Sequence, residues 1–139
     1  MLIKGKLIYC KREVKEFEGR KSEEKLYLTL AEAELTDEQK EKLREAFKDS
    51  GKKFTPDWIK DFKGYVNVSS KYPVAVRMAY ENPIRESDSI EKEISDGLKW
   101  VGADVKLSIN VKEGAIYPSA ILMLTEGKAF NPFHEFDEE

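Results

Sequence analysis

The sequence predicts a mainly β domain, built as a small, partly open antiparallel barrel with one or two helices. Several short segments alternate apolar and polar residues, which is the pattern of half-buried strands. Only residues 36–51 combine the periodicity of an amphipathic helix with helix start and stop signals. Strands and helices do not alternate along the chain, which argues against a parallel α/β sheet.

The N-terminal part of the chain supplies two predicted strands. LIKGKLIY, residues 2–9, is rich in β-forming residues, although its alternation is imperfect. A charged extension follows and turns back in an exposed hairpin at Gly19. Alternation is clean through Leu26, Leu28 and Leu30, so the second half-buried strand is predicted there.

An amphipathic helix is predicted after the second strand. Thr36 is a favourable N-cap, and Gln39 three residues later completes a capping box. Leu43, Ala46 and Phe47 form an apolar stripe on one side of this helix. We expect the stripe to pack against the barrel.

The middle of the chain is predicted as a helical turn, two β segments and a charged stretch. Pro56 can open a short helical turn. Residues 64–80 are typical of two β segments joined by a turn. Residues 82–97 fit either a second helix capped by Ser87 or Ser89, or a long charged loop.

The C-terminal strands are predicted as a hairpin. Residues 102–111 alternate cleanly, a turn follows at Gly114, and the last strand lies within residues 116–127. Pro118 favours an edge position or a bulge, because proline cannot donate a ladder hydrogen bond. Among small barrels, five or more strands with few helices fit the OB-fold, a five-stranded, partly open barrel.

The last residues, 128–139, form an acidic tail after a domain predicted to span residues 1–127. FNPFHEFDEE interleaves three phenylalanines with four carboxylates and contains no lysine or arginine. Four of the 27 acidic residues lie in the last five positions, which leaves 23 against 24 basic residues elsewhere. Exposed phenylalanines lower solubility, so we expect a partner-binding motif rather than a solubilising end. The candidate partner-binding residues are Phe133, Phe136, Asp137, Glu138 and Glu139.

The residue inventory argues against an enzyme, a metal protein and a membrane protein. His134 is the only histidine and Cys10, expected in the core, is the only cysteine, which leaves too few groups for a zinc cluster or a catalytic triad. Asp57 and Asp61 could share a helix face, but the neighbouring lysines favour a solvated surface. The sequence contains no phosphate-binding glycine motif, so we expect no cofactor. It contains no apolar run long enough to span a membrane, so we expect a cytoplasmic location.

Aromatic residues stand next to basic residues at several places. Rings stack on bases and cations follow phosphates, so this mixture is typical of proteins that bind single strands. Rings in a small barrel also form its core, and this remains the alternative for each of them. Tyr65 is a better candidate than Phe62, because tyrosine can expose its ring while its hydroxyl stays hydrated. The candidate nucleic-acid-binding residues are Lys53, Phe54, Trp58, Lys63, Tyr65, Lys71, Tyr72, Arg77, Lys99 and Trp100.

Four segments of the C-terminal half carry a resemblance to a known family. They are GYVNVSSKYPVAV from residue 64, GADVKLSINV from residue 102, IYPSAILMLTEG from residue 116 and NPFHEFDEE at the end. Together they resemble single-stranded-DNA-binding proteins, particularly those of bacteriophages. The resemblance implies an OB-fold that binds single-stranded DNA without sequence preference in replication or recombination. It also implies that the acidic tip recruits partner proteins and competes with DNA, although bacterial members end on an apolar residue and this chain ends on acids.

A protein-binding module is the alternative function. Such a module would be a phage-encoded adaptor or inhibitor whose barrel binds no nucleic acid. The near-neutral charge of residues 1–127 supports it, because nucleic-acid-binding domains are usually more basic. For the first function we expect single-stranded DNA as ligand, replication or recombination proteins as partners of the tail, and the cytoplasm of an infected bacterial host. The sequence leaves open whether the chain forms a homodimer.

Overall fold

Nine strands and three short helices make up the computed structural model, which describes residues 1–21, 23–48, 55–112 and 114–127. The strands are β1 (Leu2–Glu13), β2 (Glu16–Phe17), β3 (Arg20–Lys21), β4 (Lys25–Glu34), β5 (Val66–Ser70), β6 (Ala75–Met78), β7 (Arg85–Ser87), β8 (Ala103–Lys112) and β9 (Ala115–Met123). The helices are α1 (Asp37–Lys48), α2 (Asp57–Lys60) and α3 (Ile90–Ser95). Seven strands form one sheet in the order β5-β4-β1-β8-β9-β6-β7, and β2 pairs with β3 in a separate hairpin.

Five of these strands form the predicted antiparallel set. Within the order β5-β4-β1-β8-β9, every neighbouring pair is antiparallel. The sheet curls so that β5 also lies against β9, which brings the two ends of the set together as in a partly open barrel. The mainly β class with helical insertions is therefore confirmed.

Two further strands extend the set, so the sheet has seven strands and is mixed. β6 runs parallel to β9, with Ala75 opposite Ala120, and β7 adds an antiparallel edge to β6. The first residues of β9, 115–117, line a depression together with β5, and residues 120–123 pair with β6. The sequence did not predict this arrangement, because β7 has only three residues and a parallel pairing leaves no local signal.

The core is filled by the inward side chains of the strands. In β8 the residues at 103, 105, 107 and 109 are fully buried, as the alternation predicts. The register of β8 and β9 shifts between Ser108 and Ile109, whose partners are Ala120 and Pro118. This shift places an irregularity of the ladder beside Pro118, which is one of the two situations expected for this proline.

Each of the three helices contributes at least one side chain to the core. The backbone N–H of Thr36 donates to Gln39 Oε1 at 3.0 Å, and the N–H of Gln39 donates to Thr36 Oγ1 at 3.1 Å, so the predicted capping box is confirmed. Leu43 and Phe47 of α1 are buried in the core. The charged stretch that was ambiguous in sequence contains β7 and α3, with Ser89 at the N-cap position.

A partly buried ion pair fastens α3 to β1. Arg12 Nε lies 2.8 Å from Glu91 Oε2, and Arg12 Nη2 lies 2.7 Å from Glu91 Oε1. The two side chains are 26% and 28% exposed, so the pair is largely shielded from water. Next to it along β1, Cys10 is buried in the core, and burial raises the pKa of its thiol to about 12. Over the ranges that the structure describes, no helix has the length and apolar character needed to cross a membrane.

Candidate nucleic-acid interface

The outer face of β4 and β5 carries a polar and aromatic strip. Tyr27 lies opposite Ser69, and Thr29 lies opposite Asn67. These side chains point outward, because the residues that alternate with them along β4 face the core. Thr29 Oγ1 donates to Asn67 Oδ1 at 2.8 Å, so this hydrogen bond joins the two strands across the strip.

Two adjoining depressions meet at β5. The first, about 440 Å³ in volume, is lined by Tyr9 of β1, Tyr27 of β4 and the outer face of β5. The second, about 410 Å³, lies between β5 and the start of β9, where the barrel is open. Both include Asn67 and Ser69 in their lining. We call the two together the β4–β5 groove. Its aromatic lining residues are Tyr9, Tyr27, Phe47, Trp58, Tyr72 and Tyr117.

Three of the four groove tyrosines are exposed to solvent, and Tyr27 is half-buried. Tyr72 is 73% exposed, Tyr117 is 49% exposed and Tyr9 is 36% exposed. Trp58, on α2, is half-buried: it packs against the core and also borders the groove. The aromatic rings of the groove therefore come from three strands, two helices and the loop after β5.

Lysine side chains surround the same groove. Lys25 and Lys71 line the second depression, and Lys15 lines the first. Lys15 Nζ lies 4.1 Å from the centroid of the Tyr27 ring, and Lys112 Nζ lies 5.8 Å from that of Tyr117. Ammonium groups at these distances are attracted to the ring faces, which keeps positive charge beside two of the tyrosines.

Two carboxylates also reach the groove. Glu23 forms an ion pair with Lys71, whose hydrogen bond raises the pKa of Lys71 and lowers the pKa of Glu23. The side chains of both are more than half exposed, so the pair is weak and open to competition by another anion. The hydroxyl of Tyr9 donates to Glu13 Oε1 at 2.9 Å, and this contact raises the pKa of Tyr9.

Three of the candidate residues from the sequence line the β4–β5 groove: Trp58, Lys71 and Tyr72. Lys63 and Tyr65 lie beside it, around a smaller depression that shares Trp58. In that depression Lys63 Nζ lies 3.2 Å from an exposed carboxylate oxygen of Asp61, which fits the solvated surface expected for the Asp57 and Asp61 pair. Lys53, Phe54 and all the tail candidates (Phe133, Phe136, Asp137, Glu138 and Glu139) lie outside the described residues.

The other three candidates are not brought to this groove. Arg77 is on β6, where its Nε lies 2.6 Å from Glu86 Oε1, and it lines a different groove. Lys99 and Trp100 precede β8 and line neither depression of the β4–β5 groove. The N–H of Gly127 donates to the carbonyl oxygen of Lys99 at 3.1 Å, and Trp100 packs against the core.

Sequence reasoning missed six groove residues: Tyr9, Lys15, Lys25, Tyr27, Lys112 and Tyr117. A signal for Tyr27 was present, because it stands between two inward leucines of an alternating strand and must therefore face outward. The lysines carried no such signal, since they meet the rings only across strands.

Within the described ranges, no three His, Cys, Asp or Glu side chains lie close enough together to hold a metal ion. The sequence matches no protein-family model, and neither a curated protein nor a solved structure matches it. Function is therefore inferred from the β4–β5 groove itself.

Proposed function

We propose that this protein binds single-stranded DNA without sequence preference, in DNA replication or recombination, through the β4–β5 groove. The observation that supports the proposal most strongly is the set of exposed tyrosine rings with lysines beside them. In chain order, β4 and β5 are the second and third strands of the five-stranded set. OB-folds bind oligonucleotides on the face of their second and third strands.

Each kind of side chain has a separate role in this proposal. Tyr27, Tyr72 and Tyr117 stack on bases, which contributes about 1–3 kcal/mol per base and accepts any base. Lys15, Lys25, Lys71 and Lys112 contact phosphates. No bond is made or broken, so the protein acts as a binding protein rather than an enzyme.

The remaining parts of the proposal rest on the resemblance to phage proteins. The tail residues Phe133, Phe136, Asp137, Glu138 and Glu139 recruit replication or recombination proteins. The binding takes place in the cytoplasm of an infected bacterium.

A salt titration tests the central claim. Labelled oligo-dT is titrated with protein at salt concentrations from about 50 to 200 mM, and its fluorescence anisotropy is measured. Neutralising four phosphates with the four lysines predicts that log K falls against log salt with a slope of about −3. Equal affinity for a duplex of the same length, or no binding at the lowest salt concentration, would exclude the proposal.

Matched lysine variants locate the binding face. Lys25→Gln and Lys112→Gln each remove one groove cation, so each should reduce the slope by about 0.7. Lys106→Gln removes a charge from the outer face of β8, away from the groove, and should leave the slope unchanged. The groove is not the binding face if all three variants behave alike.

A protein-binding module remains the second candidate, because one observation favours it. Lys71 forms an ion pair with Glu23, so the charge of one groove lysine is partly offset in the unbound protein. Glu23→Gln distinguishes the two functions. If the groove binds DNA, this variant should bind oligo-dT more tightly, most of all at low salt, because Lys71 is released.

A further inference from the structure

A second groove, of about 340 Å³, lies on the outer face of β1, β8, β9 and β6. It shares no lining residue with the β4–β5 groove. Its lining includes the apolar side chains of Leu2, Ala75, Ala120 and Leu122, and Leu2 is 59% exposed. We call it the β8–β9 groove.

Two lysines stand side by side at this groove. Lys4 lies directly opposite Lys106, and Lys106 lies directly opposite Leu122. Directly opposed side chains on neighbouring strands have Cβ atoms about 5 Å apart, and like charges there are destabilising. Across the described part of the chain, neither lysine has a carboxylate within ion-pair distance, although Glu34 lies opposite Lys4 on the other side.

Of the acidic residues around the groove, Glu86 is engaged by another cation, whereas Asp104 and Glu34 lie near the lysines without an ion pair to either of them. Glu86 is held by Arg77, whose Nε lies 2.6 Å from its carboxylate. Asp104 is two residues from Lys106 and lies opposite Lys6 rather than opposite the lysine pair. The groove thus offers an apolar floor beside two opposed lysines that form no ion pair within the described residues, which suits an aromatic side chain flanked by carboxylates.

The chain itself carries such a segment, and it begins close by. The N–H of Asp104 donates to Thr125 Oγ1 at 3.0 Å, so Thr125 lies beside Asp104. Asp104 is two residues from Lys106 along β8, a distance of about 7 Å. The backbone N–H of Gly127 donates to the carbonyl oxygen of Lys99, which precedes β8, so a segment that starts at residue 128 has to run back along β8 to reach the groove. Lys106 is seven residues from Lys99, at most about 25 Å, and residues 128–139 can extend up to about 40 Å, which is far enough to cross the groove.

We propose that residues 128–139 dock in the β8–β9 groove of the same molecule. A phenylalanine ring covers Leu122 and Ala75, and the carboxylates of Glu135 and residues 137–139 neutralise Lys4 and Lys106. This site differs from the competition for the DNA-binding groove that the resemblance implies. It also does not depend on the proposed function, because the two grooves share no lining residue.

Amide chemical shifts test the proposal directly. Spectra of the isotope-labelled full chain are compared with those of a chain that ends at Gly127. We expect shift changes at Ala75, Lys106 and Leu122, with no change at Tyr27 or Asn67. Shift changes at residues next to the truncation site are expected from the truncation itself and are not evidence of docking.

A second experiment adds a synthetic peptide of residues 128–139 to the chain that ends at Gly127 and measures its binding by the same amide shifts. Titration into the millimolar range is needed, because a short tether supplies effective concentrations of that order. The peptide should restore the shifts of the full chain. Lys106→Glu should weaken its binding by roughly tenfold, whereas Lys112→Glu in the other groove should leave the affinity unchanged. A peptide with all three phenylalanines changed to alanine keeps every charge and should also bind far more weakly.

Three outcomes would overturn the proposal. Shift changes at Tyr27, Asn67 and Ser69 would place the tail in the β4–β5 groove instead. An absence of shift changes at residues away from the truncation site would mean that residues 128–139 do not dock on the protein. Shift changes in the full chain that grow with protein concentration would mean that the groove binds a second copy.

Discussion

Only one of the two tryptophans is expected to report on oligonucleotide binding. Trp58 lines the β4–β5 groove, whereas Trp100 lines neither of its two depressions and packs against the core. A base quenches indole fluorescence by stacking on it, so an oligonucleotide in the groove can quench Trp58 and leave Trp100 unaffected.

Two single-tryptophan variants isolate the signals. Trp100→Phe retains only Trp58 and should lose fluorescence when oligo-dT is added. Trp58→Phe retains only Trp100 and should show little change. Both tryptophans pack partly against the core, and phenylalanine keeps an aromatic ring in each position, so both variants should remain folded.

The size of the Trp58 contribution follows from a further variant. Trp58→Ala removes the ring from the groove and should weaken oligo-dT binding by about 5- to 150-fold, which corresponds to about 1–3 kcal/mol. It also leaves a cavity beside the core, so thermal melts must establish the folded fraction before affinities are compared. If quenching persists in Trp58→Phe and disappears in Trp100→Phe, the oligonucleotide does not lie in the β4–β5 groove.

Three further predictions concern stability. Arg12→Ala should lower the free energy of unfolding, measured in urea, by about 1.5–3 kcal/mol, because it leaves the partly buried carboxylate of Glu91 without its two hydrogen bonds. The control Arg20→Ala, at an exposed site, should change the free energy of unfolding little, and equal effects of the two variants would contradict the role of Arg12. Cys10, with a thiol pKa of about 12, should resist thiol reagents at pH 8 until denaturant is added. Rapid labelling of Cys10 in the native protein would disprove its burial. Because burial raises the pKa of the thiol above its usual value of 9.0, the free energy of unfolding should fall as the pH rises from about 9 towards 12. Thr36→Ala should cost about 1 kcal/mol in the same urea assay, and no loss would mean that the capping box contributes nothing.

The sequence predicted the features that depend on neighbouring residues. The capping box, the clean alternation of β4 and β8, and the irregularity of the ladder beside Pro118 each arise within a few residues, so local pattern determined them. The parallel pairing of β6 with β9 joins residues about 45 positions apart, and no local pattern encodes it.

The candidate site was harder to predict for a geometric reason. Adjacent residues in a strand point to opposite faces, so a ring and a cation that are neighbours in sequence rarely meet in a sheet. Lys71 and Tyr72 lie just after the end of β5, and both reach the groove. In contrast, the ammonium group closest to Tyr27 belongs to Lys15, on the other side of the β2–β3 hairpin. The contacts that build the groove thus come from residues distant in sequence.

The central position of β1 has a consequence for how the chain folds. β1 pairs with β4 within the first 34 residues, but its other edge pairs with β8, so that Leu2 lies opposite Ser108. Until β8 has been synthesised, the nascent sheet keeps a long unpaired edge, which is a template for aggregation. Pairings this distant in sequence also slow folding. We expect fragments that stop before Ala103 to aggregate rather than fold, and we expect the amides of residues 3–7 to be among the last to exchange with solvent in the folded protein.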